Sequence, residues 1–157
     1  MNYRIEASHL TLDYIPEACE LTVTLQGTDI SWSWSNKPFL VLSDKTTLIL
    51  TDGDCESAAF DRGTTRGVRA LYKNIRDGEG NPTHYSVETE VSLNLATGQL
   101  KAEARVLGDG MGELAALAYP PRMSFNAPEG HGYTVLPRMQ GAILPAGHGL
   151  KFDDGLV

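Results

Sequence analysis

The sequence has few of the residues that cross-link small secreted proteins or bind metals. It contains two cysteines, Cys19 and Cys55, and four histidines in 157 residues. Two cysteines provide no framework of disulfide bridges and leave open whether this pair is bridged or reduced. We expect free thiols and therefore a reducing compartment, the cytoplasm. The histidines are dispersed and lack the spacing of a zinc site, so we predict no metal centre. They are His9, His84, His131 and His148.

Long apolar runs and an excess of positive charge are also absent. No run approaches the ~20 residues that a membrane-spanning helix needs. The start of the chain, Met1–Glu6, has no basic region followed by an apolar stretch, so no signal peptide is visible. The net charge is −7, and the 13 basic residues are scattered. Because nucleic acids and anionic membranes bind clustered Lys and Arg, we predict neither as a partner.

The dominant pattern in the chain is alternation of apolar and polar residues with a period of two. It is clearest over His84–Leu107, where two alternating runs flank the turn Ala96–Gly98. This predicts an antiparallel hairpin with one face in water. Met111–Ala118 is of marginal length for a helix, and its all-β surroundings favour a strand. Further strands are predicted at Tyr3–His9, Glu20–Gln26, Asp29–Trp34, Phe39–Leu42, Thr46–Leu50, Ser57–Asp61 and Arg66–Arg76.

About ten short strands separated by turns predict an all-β fold, a two-sheet antiparallel β-sandwich or a barrel. The chain length favours one domain. We assign residues 1–150 to this domain. The polar residues 151–157 are expected to form a linker or tail.

Motifs for catalysis or cofactor binding are weak. Asp52–Glu56 resembles a fragment of a calcium loop but lacks the repeated ligands and the distal glutamate. Gly108–Gly112 is rich in glycine but lacks the βαβ context of a dinucleotide site. The twenty acidic residues offer many pairs, and the sequence singles out none for glycoside hydrolysis. We therefore predict no cofactor and name no catalytic residue.

Two features are candidates for binding a ligand. Trp32 and Trp34 lie two residues apart and share one face of a strand, where they can fill a core or stack on sugar rings; the core is favoured. The polar elbow Arg138–Gly141 lies between two short apolar runs that end at prolines. Because proline and glycine hold this loop stiffly after a strand, we predict that Arg138, Met139 and Gln140 bind substrate.

Three pieces of the chain occur in an order that is similar to a known family. They are Trp32–Trp34 followed by Pro38–Leu42, then Leu117–Pro121, then Tyr133–Pro145. This layout resembles the N-terminal β-sandwich domain of large bacterial glycoside hydrolases, in which a mutarotase-like sandwich precedes a catalytic (β/α)-barrel. The resemblance implies that the catalytic acids lie in the barrel, and none maps onto this chain. It also implies that the sandwich packs on the barrel and lends the loop Arg138–Gln140 to the rim of the sugar site.

The leading prediction is therefore a non-catalytic, carbohydrate-associated β-sandwich, the accessory domain of a glycoside hydrolase. Its expected partners are a carbohydrate and a downstream catalytic domain. One alternative is a stand-alone enzyme such as a sugar mutarotase, which needs a His acid and a Glu base facing one cleft. Another is a binding or structural β module without a sugar role.

Overall fold

A computed structural model of the chain describes residues 1–34, 36–108 and 113–127, and the backbone of two further strands at 133–136 and 142–145. Within these residues the secondary structure is β-strand apart from two single-turn 3₁₀ helices, Pro16–Ala18 and Leu50–Asp52. The strands are β1 (Tyr3–Glu6), β2 (Leu10–Ile15), β3 (Glu20–Leu25), β4 (Ser31–Trp34), β5 (Phe39–Leu42), β6 (Thr47–Ile49), β7 (Asp54–Arg62), β8 (Thr65–Lys73), β9 (Ser86–Asn94), β10 (Leu100–Leu107), β11 (Leu114–Ala118), β12 (Met123–Asn126), β13 (Tyr133–Leu136) and β14 (Ala142–Pro145).

One layer of the fold is a four-stranded antiparallel sheet in the order β10-β9-β8-β7. It contains the predicted hairpin, in which Leu100 pairs with Leu93 and Leu107 with Ser86. On its inner face Val87 and Val91 are fully buried, whereas Glu103 on the outer face is exposed. The predicted hairpin is therefore confirmed, and the face predicted to be buried is buried along β9 but only partly along β10, at Leu100 and Val106.

Two other sheets together cover the inner face of the four-stranded sheet. A five-stranded sheet, β1-β2-β3-β4-β12, packs Leu12, Leu21 and Val23 against Val68 and Val91. A three-stranded sheet, β11-β5-β6, supplies a second cluster of core residues at the other end. That cluster includes Leu40, Leu48, Ala70, Tyr72 and Val87. The all-β sandwich is thus confirmed, with one of its two layers divided between two sheets.

The strand boundaries show where the sequence pattern was incomplete. The predicted strand Tyr3–His9 ends at Glu6, and the chain turns back into β2, which was not predicted. The turn is closed by a hydrogen bond from Ala7 N to Leu10 O and contains no glycine or proline. Without these residues the turn carried no sequence signal. The run Met111–Ala118 is a strand over Leu114–Ala118, as favoured.

Candidate functional site

The loop predicted to bind substrate connects two paired strands. β13 pairs with β14 in antiparallel register, with Leu136 opposite Ala142. The apolar runs on either side of the polar elbow therefore form a hairpin. Arg138, Met139 and Gln140 themselves lie outside the described residues, so their role stays a prediction.

Both tryptophans lie on the inner face of the five-stranded sheet. Trp34 is 9% exposed and packs edge-to-face against the rings of Tyr14 and Tyr119, each with a centroid separation of 5.7 Å. Trp32 is partly buried against the ring of Phe125, 5.5 Å away. Trp34 belongs to the hydrophobic core, the arrangement that the sequence favoured. Burial leaves little of the Trp34 side chain for contact with a ligand and only part of that of Trp32.

A small cleft opens beside Trp34. It has a volume of about 170 Å³, and its polar lining includes Glu20, Asn36 and Lys37. The Asn36 Oδ1 atom accepts a hydrogen bond from Arg122 N at 2.8 Å, which joins the loop after β4 to the start of β12. This volume is below the roughly 300–1,000 Å³ of sites that enclose a small molecule. The cleft is therefore too small to enclose a sugar.

A larger groove of about 460 Å³ lies on the outer face of the four-stranded sheet, lined by Glu88, Glu90, Glu103 and Arg105. Glu88 pairs with Arg105 at 3.3 Å, and Glu103 pairs with Lys101 at 2.7 Å. A general acid in glycoside hydrolysis needs a carboxyl group whose charged form is disfavoured by its surroundings. These carboxylates have cationic partners instead, which is the pattern of a structural network.

Glu90 is the centre of this network and is 19% exposed. Its carboxylate accepts two hydrogen bonds from Arg62, at 3.2 and 3.3 Å, and one from Arg69 at 3.1 Å. The Arg62 guanidinium also lies 4.3 Å above the Phe60 ring, a cation–π contact. We call the contacts of Arg62 and Arg69 with Glu90 the clamp. It was not predicted from the sequence, because Arg62 and Glu90 are brought together only by the register of β7, β8 and β9.

A cluster of buried hydroxyl and thiol groups lies where the two core clusters meet. The Tyr72 hydroxyl donates a hydrogen bond to Pro16 O at 2.7 Å and lies 3.5 Å from the Tyr14 hydroxyl. Burial raises the pKa of both tyrosines, and it raises the pKa of Cys19 and of Cys55 to about 11. Both cysteines are free. Their thiols are protonated at neutral pH, whereas a cysteine nucleophile reacts as the thiolate.

The described part of the chain contains neither a metal-binding cluster nor a membrane-spanning helix. No group of three or more His, Cys, Asp and Glu side chains is arranged to hold a metal ion. No helix there has the length and apolar character required to span a membrane.

The fold and these sites define the class of protein to which the described part of the chain corresponds. It is an antiparallel β-sandwich in which four carboxylates on the outer face of the four-stranded sheet are paired with cations, those of Glu56, Glu88, Glu90 and Glu103. The described residues include no assembled nucleophile, acid–base pair or metal centre.

Part of a much longer solved enzyme has a similar fold. The chain matches solved structures of the α-N-acetylgalactosaminidase NagBb from Bifidobacterium bifidum. The complex with Gal-NHAc-DNJ has a TM-score of 0.70 at 19% identity, and the quadruple mutant has 0.68 at 20%. Each match covers 91% of this chain and 22% of that chain. The resemblance predicted from the sequence is thus confirmed at the level of the fold.

The chain spans about one fifth of the length of that enzyme. A comparison with protein-family models finds no match, and no curated protein matches the sequence.

Proposed function

We propose that this chain is an accessory β-sandwich domain of a glycoside hydrolase, attached to a catalytic (β/α)-barrel that carries the reacting carboxyl groups. The observation that supports this most is the fold match, which takes in 91% of this chain and only 22% of the hydrolase chain. The pairing of the groove carboxylates Glu88, Glu90 and Glu103 with cations also supports a non-catalytic role.

We further propose a carbohydrate as the ligand of the complete protein. The matched enzyme has been solved in complex with GalNAc and with Gal-NHAc-DNJ. An α-linked N-acetylgalactosaminide is therefore the first substrate to test. The free cysteines support a cytoplasmic location in this proposal. We propose that residues 151–157 link the sandwich to the next domain.

Within this function, Arg138, Met139 and Gln140 form the loop at the rim of the sugar site. The pairing of β13 with β14 supports the proposal, because Arg138, Met139 and Gln140 lie in the sequence between these two strands. Arginine offers a planar fork of donors, and the glutamine amide offers both a donor and an acceptor. These groups match the donors and acceptors of sugar hydroxyl and acetamido groups.

The experiment uses the longer polypeptide that contains this chain and compares Arg138→Ala and Gln140→Ala with the parent on an aryl α-N-acetylgalactosaminide. We expect each variant to lower kcat/KM about tenfold, the effect of ~1.4 kcal/mol from a lost hydrogen bond, with an unchanged thermal midpoint. Arg4→Ala and Gln99→Ala are matched controls at exposed positions of the sandwich.

Unchanged kcat/KM in both loop variants would show that the loop is structural. A second result would overturn the accessory role itself. If residues 1–157 alone hydrolysed the glycoside and one Asp or Glu substitution abolished the activity, the stand-alone enzyme would be the correct alternative.

A further inference from the structure

The outer face of the five-stranded sheet presents two straight rows of side chains. The register of the four strand pairs aligns one residue from each strand in each row. Between the rows runs an inward-facing row that contains Leu12, Val23 and Trp32. The first outer row is Arg4, Asp13, Thr22, Ser33 and Ser124, and the second is Glu6, Thr11, Thr24, Ser31 and Asn126.

Charge in these two rows is confined to β1 and to Asp13 on β2, and the charged residue Glu20 lies beyond them at the start of β3. The six positions on β3, β4 and β12 are uncharged, and we call them the neutral face: Thr22, Thr24, Ser31, Ser33, Ser124 and Asn126. All six are partly or fully exposed. Within the part of the chain that the structure describes, no side-chain hydrogen bond is formed by any of them.

The outer face of the opposite layer has the reverse character. Besides the clamp on Glu90, it carries ion pairs between Lys73 and Glu56 at 2.8 Å and between Arg105 and Glu88 at 3.3 Å. Moving charges out of water is costly even when they are paired, and charged residues are depleted from the centres of interfaces. Hydroxyl and amide groups lose much less on desolvation, particularly where they find new hydrogen bonds. Of the two outer faces, the neutral face is the one suited to contact with another protein surface.

We infer that the neutral face is the surface through which this chain packs on the adjoining catalytic domain, against polar, uncharged groups of that domain. This inference depends on the proposed function. The solved hydrolase chains extend far beyond the matched fifth, so most of such a polypeptide lies outside the sandwich and is available for contact with it. Interfaces between domains of one chain are more polar than obligate interfaces between subunits.

The size of the face argues against a second copy of this chain as the occupant. Three strands ~4.8 Å apart and rows ~7 Å apart give an area on the order of 200 Å². Stable complexes bury about 800 Å² on each partner. A covalent connection raises the effective concentration of the adjoining domain, so a small polar contact is sufficient within one polypeptide.

The test measures the accessibility of single cysteines in the longer polypeptide, in a Cys55→Ser background. Ser33→Cys places a thiol on the neutral face. Ser86→Cys is the matched control, a partly exposed strand serine on the charged face. Labelling with iodoacetamide is followed by mass spectrometry of the peptides. We expect Ser33→Cys to react at least tenfold more slowly than Ser86→Cys, and the difference to disappear at a denaturant concentration that separates the domains.

Equal labelling rates in an active glycoside hydrolase would overturn the inference while leaving the proposed function in place. A longer polypeptide without glycosidase activity would instead refute the proposed function. Thr24→Cys, on the second row of the neutral face, repeats the test if Ser33→Cys does not fold.

Discussion

Replacing Thr89 with valine is expected to stabilise the protein. Thr89 lies on the inner face of β9, 1% exposed, between Val87 of one core cluster and Val91 of the other. Its cross-strand neighbours are Ala70 and Ala104. Its Oγ1 atom makes no hydrogen bond of good geometry in the structure, although it lies near the buried hydroxyls of Tyr14 and Tyr119. The Thr89 hydroxyl is thus buried with at most weak compensation.

The expected size of the effect follows from this burial. A buried hydroxyl without a partner costs about 1–3 kcal/mol, and valine has the same shape with a methyl group in its place. We expect the Thr89→Val variant to gain about 1–2 kcal/mol in free energy of unfolding. For a chain of this length that gain corresponds to about 3–6 °C in thermal midpoint.

Urea denaturation followed by circular dichroism measures this change. Thr22→Val is the matched control, because it makes the same replacement on the outer face of β3, where we expect a change within about 0.5 kcal/mol. A loss of about 1 kcal/mol in Thr89→Val would refute the reasoning. It would mean that the hydroxyl is hydrogen-bonded in solution and that its removal breaks that bond.

Three other changes test the core and the outer charges. Val91→Asp should lower the free energy of unfolding by several kcal/mol, and with it the denaturation midpoint, because Val91 is fully buried and an unpaired charge there is strongly penalised. Glu90→Gln should lower the free energy of unfolding by about 1 kcal/mol, and by less at 1 M NaCl. Glu103→Gln is the control and should change it by less than about 0.5 kcal/mol, since Glu103 is largely exposed and has a single partner. Burial raises the pKa of Cys19 to about 11, so the unfolded chain loses this thiol proton at a lower pH than the folded chain does. The contribution of Cys19 to the free energy of unfolding should therefore fall from about pH 9 to about pH 11, by up to ~1.4 kcal/mol per pH unit. Urea titrations at these pH values should give a shallower fall for Cys19→Ala.

The parts of the fold that could be predicted are those whose signals are local in sequence. The hairpin of β9 and β10 was predicted because alternation over His84–Leu107 reports directly on which side chains are buried. The strand β12 was missed because it is four residues long and follows two prolines at Pro120–Pro121. Its pairing with β4 joins residues about ninety positions apart, and no local pattern encodes such a partner.

The site residues illustrate the same limit. Trp32 and Trp34 were correctly placed on one face of a strand, but the side of the sheet on which they lie is decided by tertiary packing. The clamp of Arg62 and Arg69 on Glu90 depends on the relative register of three strands. Charge–charge contacts of this kind become predictable only after the sheet has been assembled.

The residue types at the outward positions of the strands account for the difference in charge between the two outer faces. In β7 to β10 several outward positions are charged, and cross-strand register places Lys73 opposite Asp54, Arg69 opposite Glu90 and Arg105 opposite Glu88. In β3 and β4 the outward positions read Thr-x-Thr and Ser-x-Ser, so register places hydroxyls beside hydroxyls. Solubility alone requires no such division, because charged residues on both faces would keep the sandwich in water equally well. The absence of charge from the six positions of the neutral face is expected if that face is desolvated against the rest of a longer enzyme.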